Sequence, residues 1–295
     1  MSFSIKYKCI DYSDENDLVQ VKYLYKKIFK VLDENKIMYW LSENHAGKPI
    51  GILAIDETIN KCVGHFGTMA IQSIIGGEKV QGRNSMGFMV DGEYRGNRIA
   101  TTISDLLFQN VFKDEACKYV IGFPNDVSYK MHLEHMGYRS VRDYNFVEIN
   151  SNDKHKNIYT QKNVVDLTEH NVEIEHNTLN HDDDYLKWRY RDPKYLIYES
   201  DKRNLFITTE FNNKADILYW STTVTEEELI DFACFIKKEI SAERVCTWNT
   251  YKWMDDYPKE GRKYHFCINM NIYDDKYSDD IMKPWLFYMG DCELF

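Results

Sequence analysis

The first chemical signal in the chain is carried by Arg95-Gly96-Asn97-Arg98-Ile99-Ala100. This loop follows an extended apolar run, Lys79–Val90, and leads into a stretch where Ile99, Ile103, Leu106, Leu107 and Val111 recur at helical spacing. A helix starting here leaves its first backbone N–H groups without intrahelical partners, with the positive end of the helix dipole behind them. Such an end receives a phosphate or a pyrophosphate. Gly96 lets the main chain come close to an anion, and Arg95 and Arg98 add charge-assisted donors. The strand end Phe88-Met89-Val90 offers backbone groups with which a ligand carrying amides can pair. A dinucleotide fingerprint is excluded, because it needs Gly-x-Gly-x-x-Gly after the first strand of a βαβ unit and an acidic residue about 20 positions on.

The elements that position this loop can be read outward from it. Phe3–Tyr12 alternates loosely as a strand, and Ser13-Asp14-Glu15-Asn16 supplies capping oxygens ahead of Leu18, Val21, Leu24, Tyr25, Ile28, Phe29 and Leu32 at helical spacing. Ile50–Ile55, Cys62–Ile75 and Lys79–Val90 are expected as three consecutive antiparallel strands. Beyond the loop and its helix, Lys118–Phe123 is a short strand, Pro124-Asn125-Asp126 opens a helix to about Met136, Gly137 closes it, and Tyr138–Ile149 is extended. Residues 150–162 are polar and almost lack aliphatic side chains, which sets a boundary between a first domain, 1–150, and a second, 160–295. The second partly repeats the first. Leu205–Phe211 and Ala215–Trp220 form a hairpin, Thr225–Ile240 a helix, and Arg244–Trp248 and Tyr264–Ile272 strands, as expected of a diverged duplicate. Its equivalent loop, Ser221-Thr222-Thr223-Val224, has no glycine, and its helix begins Thr225-Glu226-Glu227-Glu228. Those carboxylates satisfy the dipole themselves and repel pyrophosphate.

A ligand with both a pyrophosphate and an amide-bearing arm is coenzyme A. MGFMVDGEYRGNRIATTISDLLF resembles the acyl-CoA-binding motif of the GNAT (Gcn5-related) N-acyltransferase family, Arg/Gln-x-x-Gly-x-Gly/Ala at a strand-to-helix junction. Arg98 stands at the motif's fourth position, where glycine is customary, and is expected to take helical dihedrals and face phosphate. GFPNDVSYKMHLEHMGY is similar to the family's following strand and helix, so that the resemblance covers residues 3–150. It implies an α+β fold, a central, mostly antiparallel twisted sheet flanked by helices, with a second, degenerate domain of the same kind that lacks CoA. It also implies acyl-CoA as co-substrate without a metal. The residues implied to hold it are Phe88, Met89, Val90, Arg95, Gly96, Asn97, Arg98, Ile99, Ala100, Asn125 and Ser128.

Acyl transfer to an amine needs a neutral amine, a stabiliser for the thioester oxygen and often an acid for the departing thiolate. The family's usual tyrosine, seven residues after the motif's asparagine, is replaced by His132, whose ordinary pKa of about 6.5 suits either proton role. Tyr129 is the rival donor to the thiolate, and His65, beside Phe66 and Gly67, is a third candidate facing an acceptor. All three read equally as packing residues. Arg83, Asn84 and Ser85 begin the motif strand on the side where an acceptor would sit. The whole chain is also similar to bacterial GNAT proteins of surface-polysaccharide (O-antigen) pathways that acylate nucleotide-linked amino sugars. The segments that carry this are Val63-Gly64-His65-Phe66-Gly67, Phe123-Pro124-Asn125-Asp126, Tyr185–Tyr190 with Pro193, and Met289-Gly290-Asp291. An anionic acceptor in the cleft between the halves is thereby implied, with Trp188 and Arg189 suited to stack a base and grip a pyrophosphate.

Composition bounds these readings. At 295 residues, with 43% hydrophobic residues and only 5 prolines, the chain has material for two packed domains. The first 150 residues hold 18 basic against 19 acidic side chains, and the remainder 19 against 28. An acidic surface repels phosphate backbones and anionic lipid, which argues against nucleic acid and membrane as partners. It equally attracts a polycation. Transfer to a small amine, antibiotic, polyamine or peptide is therefore the alternative within enzymes, and a CoA-binding sensor without catalysis the alternative outside them. The 7 cysteines are scattered and never form C-x-x-C, so neither a disulfide framework nor a zinc site is signalled and a reducing cytoplasm is the expected setting. No signal-length apolar run opens the chain, and no 18-residue apolar stretch occurs. Asp182-Asp183-Asp184 and Asp274-Asp275 lack EF-hand spacing and read as caps and turns.

Overall fold

Each helix and strand expected around the phosphate loop forms in the computed structural model, which describes residues 3–30, 44–151, 154–163, 176–270 and 277–292. The chain divides into two compact units. Residues 1–73, 78–141 and 265–282 make the first; residues 74–77, 142–264 and 283–295 make the second.

In the first unit the order is β1 (Ile5–Cys9), α1 (Glu15–Phe29), β2 (Ile50–Asp56), β3 (Lys61–Ile75), β4 (Glu78–Val90), α2 (Ile99–Val111), β5 (Tyr119–Gly122) and α3 (Asp126–His135). Leu32, expected on the first helix, lies outside the described residues. The strands lie in the sequence β1-β2-β3-β4-β5. β1 with β2 and β2 with β3 are antiparallel, whereas β4 and β5 are parallel, as a strand-helix-strand crossover requires. α2 forms where it does because Ile99, Ile103, Leu107 and Val111 fall on one face and are all buried, against Ile52, Ala54 and Phe66 of the sheet. Burial of each such side chain stabilises by roughly 1.5–3 kcal/mol. Gly64 admits the helix: a Cβ there would lie 2.8 Å from Ile99 Cγ2.

The second unit uses the end of β6 (Arg139–Glu148), then β7 (Tyr159–Lys162), β8 (Asn177–Leu179), α4 (Asp183–Arg189), β9 (Tyr195–Ser200), β10 (Leu205–Phe211), β11 (Lys214–Trp220), α5 (Glu226–Glu239), β12 (Arg244–Trp248), the start of β13 (Lys259–Met270) and β14 (Trp285–Leu286). β9, β10 and β11 are antiparallel, and β11 and β12 parallel. The connectivity β9-β10-β11-α5-β12 thus repeats β2-β3-β4-α2-β5. Each unit then completes its sheet with a strand from the far part of the sequence. Cys267–Met270 of β13 runs antiparallel to β5, and Phe146–Glu148 of β6 runs antiparallel to β12. The changes of unit by contact fall at 73/74, 77/78, 141/142, 264/265 and 282/283, while the polar stretch at 150–162 lies within the second unit. Among the described residues no helix is long and apolar enough to cross a membrane.

Candidate functional site

The phosphate loop is braced before it turns. Asp91 caps a short 3-10 turn, Gly92–Tyr94, and Lys27 of α1 pairs with Asp91 at 2.5 Å and with Glu93 at 2.9 Å. Those two carboxylates hold the Lys27 ammonium well above its usual pKa. Tyr94 donates to Asp56 of β2 at 2.6 Å, which pushes the phenol up to about 12 and holds the Asp56 carboxyl below its usual range. Arg95 then leaves in an extended conformation, Gly96 has φ 84°, and Arg98 has φ 59° and ψ 11°. Arg98 does not have the right-handed helical dihedrals expected for it. It occupies the left-handed region, which explains why the resembling motif favours glycine at this position, and a side chain there costs about 1–2 kcal/mol. No side chain caps α2 and no acidic residue lies in its first turn, so its N-terminus is open to an anion, and Arg95 and Arg98, next to it in the chain, are exposed. Asn97 donates to the Tyr94 carbonyl at 3.1 Å, Ile99 is buried as the helix anchor, and Ala100 is half-buried.

The strand leading to this loop parts from its neighbour. Register between β4 and β5 runs from Gly82↔Tyr119 to Asn84↔Ile121 and stops; β5 ends at Gly122 while β4 continues to Val90. Beyond the end of the β5 register Gly87 has φ 60°, a conformation that glycine adopts without strain, and its carbonyl accepts a 2.6 Å hydrogen bond from His65 Nδ1. Because the partner is a carbonyl, Nδ1 carries the proton and Nε2 the lone pair. Met89 is buried, and Phe88 and Val90 are half-buried. Arg83 and Asn84 are buried in the part of the strand paired with β5, and Ser85, just beyond it, is buried as well. The Arg83 guanidinium donates to Thr68 Oγ1 at 2.8 Å and to the Lys48 carbonyl.

α3 supplies the other side. Asn125 is its N-cap: Oδ1 accepts from Ser128 N–H and from Ser128 Oγ, both at 3.1 Å, so the pair implied to hold a ligand arm is engaged with itself at that oxygen. His132 is buried, with its ring against Phe66, Phe88 and Tyr138. Its Nδ1 donates to the Ser128 carbonyl at 2.9 Å, and burial holds its pKa below the ordinary value. His132 is therefore neutral at pH 7 and presents a lone pair, which suits a proton acceptor and not an acid.

A residue absent from the sequence-derived site joins Tyr129. The His265 ring stacks on Tyr129 with centroids 3.7 Å apart and 10° between planes, and its Nε2 lies 2.9 Å from Asp126 Oδ1. Its backbone N–H donates to the Pro124 carbonyl at 3.3 Å. No local motif marks His265. Only the antiparallel pairing of β13 with β5 brings it to the head of α3.

In the second unit α5 begins with a complete capping box, Thr225 and Glu228 bonding reciprocally, so its N-terminus is already satisfied. Asp182 caps α4, as its sequence context suggested, whereas Asp274-Asp275 lies outside the described residues. Arg189 is 2% exposed. Its guanidinium donates to the carbonyls of Gly290 at 2.7 Å and Cys292 at 3.2 Å and to Tyr195 Oη at 2.9 Å, a core clamp on the segment after β14 that corrects its expected grip on a pyrophosphate. Trp188 is half-buried with the Arg191 guanidinium 5.9 Å over its ring. The second unit also holds a cavity of about 440 Å³ whose lining includes Lys162, Lys187, Arg191, Asp192, Tyr190 and Tyr195 but not Trp188.

No known family pattern matches the chain, and no curated protein sequence does. Solved structures do. A GCN5-related N-acetyltransferase from Kribbella flavida superposes with a TM-score of 0.64 at 12% identity, covering 90% of this chain and 71% of its own. Another GCN5-related N-acetyltransferase, from Anabaena variabilis, gives 0.61 at 14% identity, covering 90% and 73%. Saccharomyces cerevisiae N-myristoyltransferase with bound myristoyl-CoA gives 0.60 at 11% identity, covering 91% and 83%. The chain therefore has the GNAT fold, and the likeness extends over nine-tenths of it.

Proposed function

We propose that this protein is an acyl-CoA-dependent N-acyltransferase. The observation that carries the reading is the parting of β4 from β5 beside a helix whose N-terminus is uncapped, free of acid and flanked by Arg95 and Arg98. In this reading the CoA pyrophosphate sits on the Arg95–Ala100 loop, and the pantetheine amides pair with Phe88–Val90 where β5 no longer does. In this reading backbone N–H groups of β4 beyond the β5 register are the donors to the thioester oxygen. Tyr129 is the acid for the thiolate, and His132 lines the groove as a neutral acceptor. That the comparison structures include two N-acetyltransferases and an N-myristoyltransferase with bound acyl-CoA supports the same chemistry.

The acceptor we propose is a nucleotide-linked amino sugar. In an acidic half such a ligand needs a locally positive, aromatic patch, and the cavity lined by Lys162, Lys187, Arg191, Tyr190 and Tyr195 has that character. A cationic small amine is the second reading, favoured by the excess of acid in the same half. The test is thiol release from a panel of acyl-CoAs with a nucleotide-linked amino sugar, the same free sugar, and a polyamine. Turnover with a steep rise in KM on loss of the nucleotide supports the first reading. Equal use of both sugars contradicts it, preference for the polyamine promotes the second, and no thiol release with any acyl-CoA contradicts acyl transfer altogether.

A further inference from the structure

We propose that His265 is a positioning residue for acyl transfer: it fixes the plane of the Tyr129 ring and so aims the phenol at the departing thiolate. His265 lies on β13, two residues before Cys267, whose register partner is Gly122 of β5. Continuing that antiparallel pairing past the end of β5 sets His265 against Pro124, and its backbone N–H does donate to the Pro124 carbonyl. Phe266 beside it packs on Phe123, with ring centroids 5.5 Å apart. Pro124 leads into Asn125, the N-cap of α3. The sheet thereby delivers an imidazole to the head of the helix that carries Tyr129.

At the helix head the imidazole is held by its edge and applied by its face. Asp126 and Tyr129 stand three residues apart, on one side of α3. His265 Nε2 donates to Asp126 Oδ1 at 2.9 Å, and its ring covers that of Tyr129 at 3.7 Å with 10° between planes. His265 is buried, so a ring tied at backbone, edge and face keeps one orientation. The Asp126 side chain is 75% exposed, and a pair with so exposed a partner adds little to stability. What it adds is direction: the carboxylate sets the imidazole plane, and the imidazole plane sets that of the phenol. The reaction makes a demand on this direction. As the amine nitrogen bonds to the thioester carbon and the carbon–sulfur bond breaks, the Tyr129 hydroxyl gives its proton to sulfur, and the phenolate is restored by the proton that the new amide nitrogen sheds. Displacing such a donor by about 1 Å costs up to about 100-fold in rate.

This inference rests on the proposed function, with Tyr129 as the acid, and the experiment separates the two. Thiol release from acetyl-CoA, with the acceptor of highest turnover in the panel above, gives kcat and KM for the full-length protein, Tyr129→Phe, His265→Ala, His265→Phe and the double variant Tyr129→Phe with His265→Ala. The expected result is that His265→Ala lowers kcat about 10- to 100-fold at an unchanged KM for acetyl-CoA. His265→Phe, which keeps a ring face on Tyr129, recovers part of that loss. In the Tyr129→Phe background His265→Ala lowers kcat no further, because the group it positions is gone. A merely structural His265 would disturb the head of α3, raising KM for acetyl-CoA and costing the same factor in both backgrounds. That pattern overturns the proposal, and so does normal turnover in His265→Ala or a His265→Phe variant no better than His265→Ala. Normal turnover in Tyr129→Phe would instead contradict Tyr129 as the acid, and no thiol release with any acceptor would contradict acyl transfer; in either case the positioning role falls too.

Discussion

Arg98 departs from the resembling motif in its side chain, and its backbone departs from the helical dihedrals expected of an arginine there. The backbone there is left-handed, the conformation that glycine favours, yet the residue carries a guanidinium on the proposed pyrophosphate side. Arg98→Gly is expected to raise stability by about 1 kcal/mol through relief of that strain while weakening CoA. Arg98→Ala keeps the Cβ, loses the charge, and is expected to weaken CoA without the gain; thermal unfolding and calorimetry on the two variants check this. The buried histidines predict a pH dependence of known sign. With His65 near pKa 4 when folded and 6.5 when free, the unfolded chain binds the proton that the folded chain refuses, so stability is full above pH 6.5 and is lost as pH falls toward 4. The loss attributable to His65 is about 3 kcal/mol, and His132 acts in the same direction. Urea unfolding at pH 7 and pH 5 should show it, with a smaller difference in His65→Gln. At this scale the sequence singled out the loop for its chemistry, because an uncapped helix start beside glycine and arginine can receive an anion. It did not disclose His265 or the burial of Arg189, since each depends on partners about a hundred residues away.

Among elements, the local ones were legible and the shared ones were not. β2, β3, β4 and α2 follow from alternation and helical periodicity and stand within a residue or two of their expected limits. Nothing in periodicity says that β5 pairs with Cys267–Met270 or that β12 pairs with Phe146–Glu148. The pairing predicts that residues 1–150 alone, left with β5 as an open edge, do not unfold cooperatively. Near-ultraviolet circular dichroism on heating tests this, and a sharp transition in the fragment would contradict it. Thr225→Ala removes the α5 capping box and should cost about 1 kcal/mol of stability while leaving CoA affinity untouched. A loss of CoA binding in that variant would mean that the second unit's helix end is a ligand site after all.

For the whole molecule, two units of like connectivity have opposite helix ends. α2 begins bare beside two arginines, and α5 begins capped with Glu226, Glu227 and Glu228 in its first turn. Duplicated topology with one receptive helix start predicts one CoA per chain. Isothermal titration of the full-length protein with CoA, repeated on Arg95→Glu, tests this most directly. The expected result is a stoichiometry near one, with affinity falling at least about tenfold in the variant, as loss of a charge-assisted contact implies. Two sites per chain, or an Arg95→Glu variant that binds CoA as tightly as the unmodified protein, would contradict the assignment of the loop.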